Sequence, residues 1–455
     1  MQFVSDLHLH SKYSRAVSQN MVLPIMAEWG KKKGIDILST GDWTHPLWLR
    51  EKRSQLEEKG EGLFNLKSQI SNLKSTSQIS NLRKEPLFLL STEIASIYKQ
   101  GEKVRRIHNL IFAPNFETVE KINQELTRRG CNLHSDGRPI IGISSKNLLE
   151  LLLEIDKKIL LIPCHVWTPH FGVYGSKSGF ETLSECFEDL VSNVYGIETG
   201  ISSDPEMNWR IEDLKERSIL SFSDAHSPAN MGRETTAFEL DERNFENIRT
   251  AIMRKGGGKN RIAYTVEFYP EEGKYHFSGH RNCKVSFTPQ EVREKGAICP
   301  VCKREFTEGV APRIEQLGGS DFAKEYKEKV SETGVKWYTD ETKNHPPYVK
   351  LVPLLEIVAE GLESTVSSQK VKAMFDSLCE AFGSEIDVLL KTHITKIQKI
   401  TGPKIAEGIE KVREGTIVID PGYDGEYGHV KIWGHDESKI ESKQEDEKMQ
   451  MGLGF

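Results

Sequence analysis

The chain is predicted to be an α/β protein whose first 268 residues close into a seven-stranded barrel. Two observations carry this expectation. Seven short apolar runs alternate with amphipathic stretches, the pattern of strands joined by helical crossovers. Metal-binding side chains stand at the ends of those runs, where barrel sites are built. The runs are FVSDLHL, IDILST, LFLLSTE, RIHNLIFAP, KILLIPCHV, NVYGIETG and ILSFSDAH, with FETVEKINQELTRRG and NLLELLLEIDKK as helices between some of them. A length of 455 residues exceeds what one core holds, so further units are expected downstream.

The first run places Asp6, His8 and His10 at every second position. In extended chain these share one face, while Leu7 and Leu9 pack on the other. A buried line of two imidazoles and a carboxylate is costly unless it binds something. Chance histidines on a solvated strand would show the spacing once, but Ser223-Asp224-Ala225-His226 repeats it at the end of the seventh run. Asp42 and His45 follow IDILSTG, Glu93 ends LFLLSTE, His108 sits in RRIHNLIF, and His165 ends ILLIPCHV. Imidazoles with carboxylates favour Zn²⁺, Mn²⁺ or Fe²⁺ over Mg²⁺ or Ca²⁺. The set predicts a centre of two or three divalent transition metals, and ions about 3.5–4 Å apart serve phosphoester hydrolysis. Asp42, Glu93 and Asp224 are the expected catalytic carboxylates. Arg15, Arg233 and Lys177 flank the metal positions, and an arginine fork would compensate phosphate charge, although a surface cation reads the same way. Asp6 and Glu198 are expected to orient histidines or to be structural.

Residues 51–86 are polar and carry SQISNL at 68–73 and again at 77–82. Two copies are too few for a solenoid, so the stretch reads as a variable surface insertion, a frayed helix. GGG at 256–258 and PEEG at 270–273 close the first unit. The module at 269–315 holds His280-x2-Cys283 and Cys299-x2-Cys302, separated by fifteen residues. Paired ligands at this spacing predict one tetrahedral structural zinc with no open position for catalysis. The other cysteines, Cys131, Cys164, Cys186 and Cys379, stand alone, as suits a reducing cytoplasm. Residues 316–433 read as a mostly helical unit. Within it, ITKIQKITGPKIAEGIEKVREG is a helix pair turning at Gly402, of a kind that can offer backbone N–H groups to a phosphate. GTIVIDPGYDGEYGHVKIW predicts a hairpin. A charged tail, 434–455, ends in QMGLGF. There Gln450, Leu453 and Phe455 resemble the peptide by which bacterial proteins dock on the sliding clamp; a frayed apolar terminus is the plainer reading.

Composition narrows the class. Hydrophobic residues make up 37% and charged residues 28%, as in ordinary globular chains. The net charge of −6 argues against a wholly basic nucleic-acid coat but not against a local basic groove. No apolar run approaches the ~18 residues of a membrane span, and no secretory signal is visible, so a cytoplasmic monomer is expected.

DLHLHS, the strands of Glu93 and His108, CHVWTPHF and SDAHS together resemble the polymerase-and-histidinol-phosphatase (PHP) domain. The resemblance narrows with SKYSRA, TGDWTHPLW, PCHVWTPHFGVYGSKSGF, GIETGISSDPEMNWR, SDAHSPANMGRE, the cysteine module and PGYDGEYG, which are similar to the endonuclease Q family from residue 1 to about 433. It implies a distorted barrel and a nuclease that nicks DNA 5′ to deaminated bases (uracil, hypoxanthine, xanthine) and abasic sites. It also implies a ligand set. His8, His10, Glu93 and Asp224 would hold a first metal. Glu93, His108 and His165 would hold a second. His226 with Asp42 or His45 would serve a third, although Arg15 stands where many PHP domains carry a further His or Asp. The helical unit and zinc module would grip damaged double-stranded DNA, and an extruded base would be received by Trp43, Trp48, Trp167 and Phe171. Two other functions are weighed. A small-molecule phosphatase of the same barrel family would leave the cysteine module and tail without purpose. A clamp-associated DNA-binding scaffold would carry one zinc and an empty barrel.

Overall fold

The computed structural model describes residues 1–71, 84–319 and 326–434. The second SQISNL copy, the last two residues of the first, and the QMGLGF terminus with Gln450, Leu453 and Phe455 lie outside those residues.

The architecture is mixed α/β with a large central sheet. In chain order the first twelve strands are β1 (Gln2–Asp6), β2 (Ile37–Ser39), β3 (Leu56–Gly60), β4 (Leu63–Leu66), β5 (Leu87–Gln100), β6 (Lys103–Ala113), β7 (Ile140–Ile141), β8 (Leu160–Pro163), β9 (Gly196–Glu198), β10 (Ser218–Leu220), β11 (Thr235–Glu239) and β12 (Arg261–Glu267), of which β9 and β10 pair as a separate two-stranded sheet. The seven apolar runs of the sequence fall on β1, β2, β5, β6, β8, β9 and β10. β1, β2 and β5 run parallel, as do β9 and β10. Val166 N–H donates to Glu198 O just past β8 and β9, and a parallel bridge joins Leu9 to Ala225 beyond β1 and β10. The line of seven strands therefore curls back towards its start.

A fully parallel arrangement is not what forms. β6 runs antiparallel to both β5 and β8. Only Gly101 and Glu102 separate β5 from β6. Two residues close a hairpin but cannot carry a crossover. The insertion is likewise not a frayed helix throughout: residues 51–55 end the helix Pro46–Gln55, and a strand hairpin follows. β3 and β4 form a hairpin added to the edge of β5, seated by buried Leu56, Leu63, Phe64 and Leu66. Both amphipathic stretches do fold as helices, Phe116–Arg128 and Ser145–Ile155. Each is started by a side-chain cap: Asn115 accepts from Thr118 N–H, and Ser144 accepts from Asn147 N–H.

Beyond β12 the cysteine module contributes β13 (Ser278–His280) paired with β14 (Val285–Phe287). Then β15 (Tyr326–Val330), β16 (Lys336–Asp340) and β17 (Tyr348–Lys350) extend the main sheet through β12, so 316–433 is not helical throughout. Four helices, Leu354–Gly361, Gln369–Phe382, Ile394–Thr401 and Pro403–Glu414, enclose a second core. The expected helix pair does turn at Gly402, in a left-handed conformation with φ of 78°. The last hairpin, β18 (Val418–Asp420) with β19 (His429–Lys431), sends its loop back to the cysteine module, where Tyr423 bridges Phe277. Among the described residues no helix is long and apolar enough to cross a membrane.

One buried cation holds the helical core together. The π-helical turn Asp387–Lys391 takes carbonyls off the regular ladder. The Arg413 guanidinium answers them, donating to the carbonyl oxygens of Leu389, Val388, Thr392 and Thr333 at 2.6–2.9 Å. Arg413→Leu removes the donor from four carbonyls, three of them in buried hydrogen bonds. We expect it to cost roughly 3 kcal/mol or more of stability, read as a lower urea midpoint.

Candidate metal centre

His8 and His10 leave the end of β1 side by side, and Glu93 stands on β5 facing them. The β5–β6 register sets Ala95 opposite His108, which makes Glu93 and His108 diagonal neighbours on one face. Cys164 N–H bonds His108 O across β6 and β8, which carries His165 to the same place. Asp224 arrives beyond β10, held by the bridge at Ala225.

Glu93 lies at the centre of this convergence. Its Oε2 is 3.1 Å from His10 Nε2 and 3.6 Å from His8 Nε2. Its Oε1 is 2.5 Å from His108 Nδ1 and 3.2 Å from His165 Nε2. Asp224 Oδ1 approaches His10 Nε2 at 3.1 Å and His8 Nε2 at 3.6 Å. The donor atoms of His8, His10, Glu93 and Asp224 all lie within 4.8 Å of one another.

A row of carboxylates fixes the histidines from behind. Glu198 Oε1 sits 2.8 Å from His8 Nδ1, and its Oε2 accepts His165 N–H. Asp42 Oδ1 sits 3.0 Å from His10 Nδ1, while its Oδ2 accepts from Ser11 N–H, Ser11 Oγ and Ser14 Oγ. Asp6 accepts Ser223 N–H, Ser223 Oγ and Gly232 N–H, and so fastens the loop that carries Asp224. Burial pushes the Asp6 carboxyl up to about 6, against those hydrogen bonds.

This arrangement tests whether a metal fits. With Nδ1–H of His8 and His10 donated to carboxylates, each Nε2 turns a lone pair towards the oxygens of Glu93 and Asp224. His8 Nε2, His10 Nε2 and Asp224 Oδ1 are buried and lack a hydrogen-bond partner. Lone pairs facing one another in a buried site are unfavourable unless a cation lies between them. A mixed nitrogen and oxygen donor set suits a divalent transition metal. Burial alone would raise the Glu93 pKa, but the His108 and Arg138 charges outweigh it and hold the carboxylate well below its usual range.

Backbone strain accompanies the site. Asp42, His165 and Asp224 all have left-handed φ, at 48°, 29° and 46°. Such conformations cost of order 1–3 kcal/mol each and persist where function needs the side chain turned. Gly137 lets the chain pass close by: a Cβ there would meet Asp42 Oδ2 at 2.5 Å.

Several expected residues stand elsewhere. Asp42 turns both oxygens to protein donors, Oδ1 to His10 Nδ1 and Oδ2 to the 11–14 turn. His45 stacks its ring on Tyr13, with centroids 4.4 Å apart, and starts the helix Pro46–Gln55. His226 is nearer: its ring is 4.9 Å from that of His10, and its Nδ1 donates to Asp224 O. Arg15 points outward, 78% exposed, beside Asp136. Arg233 donates Nε and Nη2 to Ser223 O, so its fork braces a loop instead of facing the cluster. Lys177 is exposed, on the loop beyond His165. Trp43, Trp48 and Trp167 are core, not pocket, residues. Trp48 Nε1 donates to Thr40 O and Gly41 O, and Trp167 Nε1 donates to Asn208 Oδ1, so these indoles anchor loops from inside. Of the four aromatics only Phe171 borders the site, its ring 4.5 Å from that of His108.

The sequence reading missed two residues. Arg138 Nη1 donates to Glu93 Oε2 at 3.1 Å, and the side chain stays 27% exposed. It lies in the turn before β7, not at the end of one of the apolar runs, so only the Asp136-Gly137 turn signal marks it. Cys164 is buried with its sulfur among His165, Glu93, His8 and Glu198. Burial first, then the charges of Glu93, Glu198 and Asp224, push its thiol well up.

A second cluster forms in the cysteine module. His280 Nδ1 lies 3.2 Å from both Cys283 Sγ and Cys302 Sγ, and the four donors including Cys299 lie within 4.8 Å of one another. The two 3.2 Å spacings are slightly shorter than the N–S edge of a zinc tetrahedron, about 3.5 Å for ordinary Zn–N and Zn–S bonds, and the donor set of one imidazole and three thiols is that of a structural zinc site.

Residues 353–416 match the family model described as the MJ0043 C-terminal domain. The chain is 31% identical over 273 residues to the uncharacterised protein MJ0043 of Methanocaldococcus jannaschii, covering 58% of this chain and 31% of that protein, so it spans about a third of that relative's length. It is 27% identical over 442 residues to the uncharacterised protein YqxK of Bacillus subtilis, covering 94% of this chain and 98% of that protein. The crystal structure of the lesion-specific endonuclease PfuEndoQ from Pyrococcus furiosus superposes with a TM-score of 0.77 at 29% identity, covering 97% of this chain and 99% of that one. The crystal structure of Endonuclease Q with a 27-mer duplex substrate bearing an abasic lesion at the active site gives a TM-score of 0.77 at 30% identity, covering 96% and 98%.

Proposed function

This chain belongs to the endonuclease Q family, and on that premise we propose that it is a lesion-directed DNA endonuclease. Its reaction is metal-dependent hydrolysis of the phosphodiester 5′ to deaminated bases (uracil, hypoxanthine, xanthine) or abasic sites. The relative solved with an abasic duplex supports double-stranded DNA as the partner. The curled line of seven strands is read as the PHP barrel within residues 1–268. The zinc module follows at 269–315, and the DNA-binding unit at 316–433.

The observation that carries this reading is the Glu93 carboxylate, which turns one oxygen to His8 and His10 and the other to His108 and His165. That geometry suits a bridging ligand. His8, His10 and Asp224 would hold one metal with it, and His108 and His165 would hold a second. His226, beside His10, would serve a third position. When bound, such ions offset phosphate charge and bring the pKa of water towards neutrality. Arg138 holds Glu93 in place, and its partly exposed guanidinium can also donate to a phosphate oxygen. Phe171 offers an aromatic face beside His108. Asp42 and Glu198 keep Nδ1 protonated on His10 and His8, which leaves each Nε2 free as a donor.

That orienting role has a measurable consequence. Glu198→Ala should weaken metal binding in the barrel about 10–100-fold in a chelator competition, while zinc at the cysteines is retained. The C-terminal Gln450, Leu453 and Phe455 are read as a clamp-docking peptide, and the protein as a cytoplasmic monomer.

The reaction is tested by mapping both product ends on a duplex with one uracil or abasic site, in Mn²⁺ or Zn²⁺. A 3′-hydroxyl immediately upstream of the lesion is expected. Intact DNA in the presence of folded, metal-loaded protein overturns the reading. A small-molecule phosphatase would act on phosphomonoesters and leave the duplex uncut.

A further inference from the structure

The metal cluster has a cationic neighbour. Strand alternation puts Arg106 on the same face of β6 as His108, one step of about 7 Å towards the hairpin tip. The loop after β8 is fastened alongside: His108 N–H donates to Phe171 O and Lys177 N–H to Pro169 O, each at 3.0 Å. This brings His170 and Lys177 to Arg106. Together with Lys103 they line a cleft of about 510 Å³.

The cleft is positive without compensation. No Asp or Glu is among its described lining residues. The pKa of His170 is lowered, by burial first and then by the charges of Arg106 and Lys177, so the three groups sit within electrostatic reach of one another. Arg105 is different: it stacks on Phe180 with its guanidinium carbon 3.9 Å from the ring centroid and donates to Gly179 O, so it serves as structure. Arg106, Lys103 and Lys177 are exposed at the surface. Hydroxyls of Ser176 and Ser178 line the same cleft. Its far rim meets the cysteine module, where Ser176 Oγ donates to Glu308 O and the His170 ring lies 6.2 Å from that of Tyr275.

Like charges gathered in one concave place favour a polyanion, and focus it where they point. We propose that this cleft is a backbone track of the nuclease, in which Arg106 and Lys177 each neutralise one phosphodiester of the strand as it runs from the metal cluster towards the cysteine module. The proposal rests on the nuclease reading and adds to it a path for the DNA. Such contacts position the strand but do not read sequence or lesion.

The test is equilibrium binding of full-length protein to lesion-bearing and undamaged duplexes across a salt series. The double variant Arg106→Ala with Lys177→Ala is expected to bind both duplexes at least about tenfold more weakly near 0.1 M salt. The slope of log K against log salt should shrink by about 1.8, the value for two lost phosphate contacts. Arg106→Ala alone should give about half that change. The charge-preserving pair Arg106→Lys with Lys177→Arg should keep the wild-type slope. An unchanged slope and affinity in the alanine double variant overturn the track and leave the nuclease reading standing. So does a loss confined to the lesion duplex. Wild-type protein that binds no duplex at all overturns both.

Discussion

Glu93→Gln is expected to empty the barrel of its metals and to lower cleavage of a lesion duplex by roughly 10³-fold or more. The substitution preserves shape and removes only charge and one oxygen acceptor. At most positions that would be mild. Here each oxygen faces its own pair of imidazoles, so the amide must turn an NH₂ towards one pair and lose a ligand on that side. On the proposed reading, in which Glu93 would bridge two metals, the loss would fall on both positions at once. Arg138 would also lose the carboxylate to which it donates. Metal content by mass spectrometry and cleavage rate are the two readouts. A Glu93→Gln variant with full barrel metal and wild-type cleavage would remove the bridge from the account.

Loss of zinc from the cysteine module should have the largest effect on stability. Between residues 278 and 307 the buried apolar groups are Cys299 and Phe306, with Phe287 packed edge-on against Phe306 at 5.0 Å. So small a core cannot offset the chain entropy of the module by itself. Structural zinc sites supply apparent binding energies of about 10–16 kcal/mol, and their domains unfold without metal. Cys299→Ser should therefore drop one zinc per chain and give a separate low-temperature transition, with protease cuts between Cys283 and Cys302. The loop of the final hairpin should loosen with it, because Asp424 accepts Arg281 N–H at 2.8 Å and Tyr423 bridges Phe277. Barrel metals should remain. If the serine variant kept its zinc stoichiometry and its single transition, the four residues would not be the binding site.

Much of the centre was legible in the chain because its signals are local. An HxH step needs only an extended backbone to put both rings on one side, and the repeat at Asp224 and His226 follows the same rule. The zinc spacing is also local. Orienting carboxylates are harder to read: Glu198 is 190 residues from His8 and Asp42 is 32 from His10, so no spacing connects them. The tryptophans misled for a related reason. Trp43, Trp48 and Trp167 lie next to ligand motifs in sequence, yet each turns inward to close the loop behind the ligand.

By itself the sequence determined which atoms are available: the donors, their alternation along the strands, the apolar runs that become β1, β2, β5, β6, β8, β9 and β10, and the paired cysteine turns. The tertiary structure alone decided which of those donors meet. Strand register sets Glu93 diagonal to His108, the β5–β6 hairpin replaces a crossover, and Arg138 enters from a turn with no chemical motif. Register and approach arise from side chains packing across hundreds of residues, and a shift of one residue would turn every ligand to the opposite face.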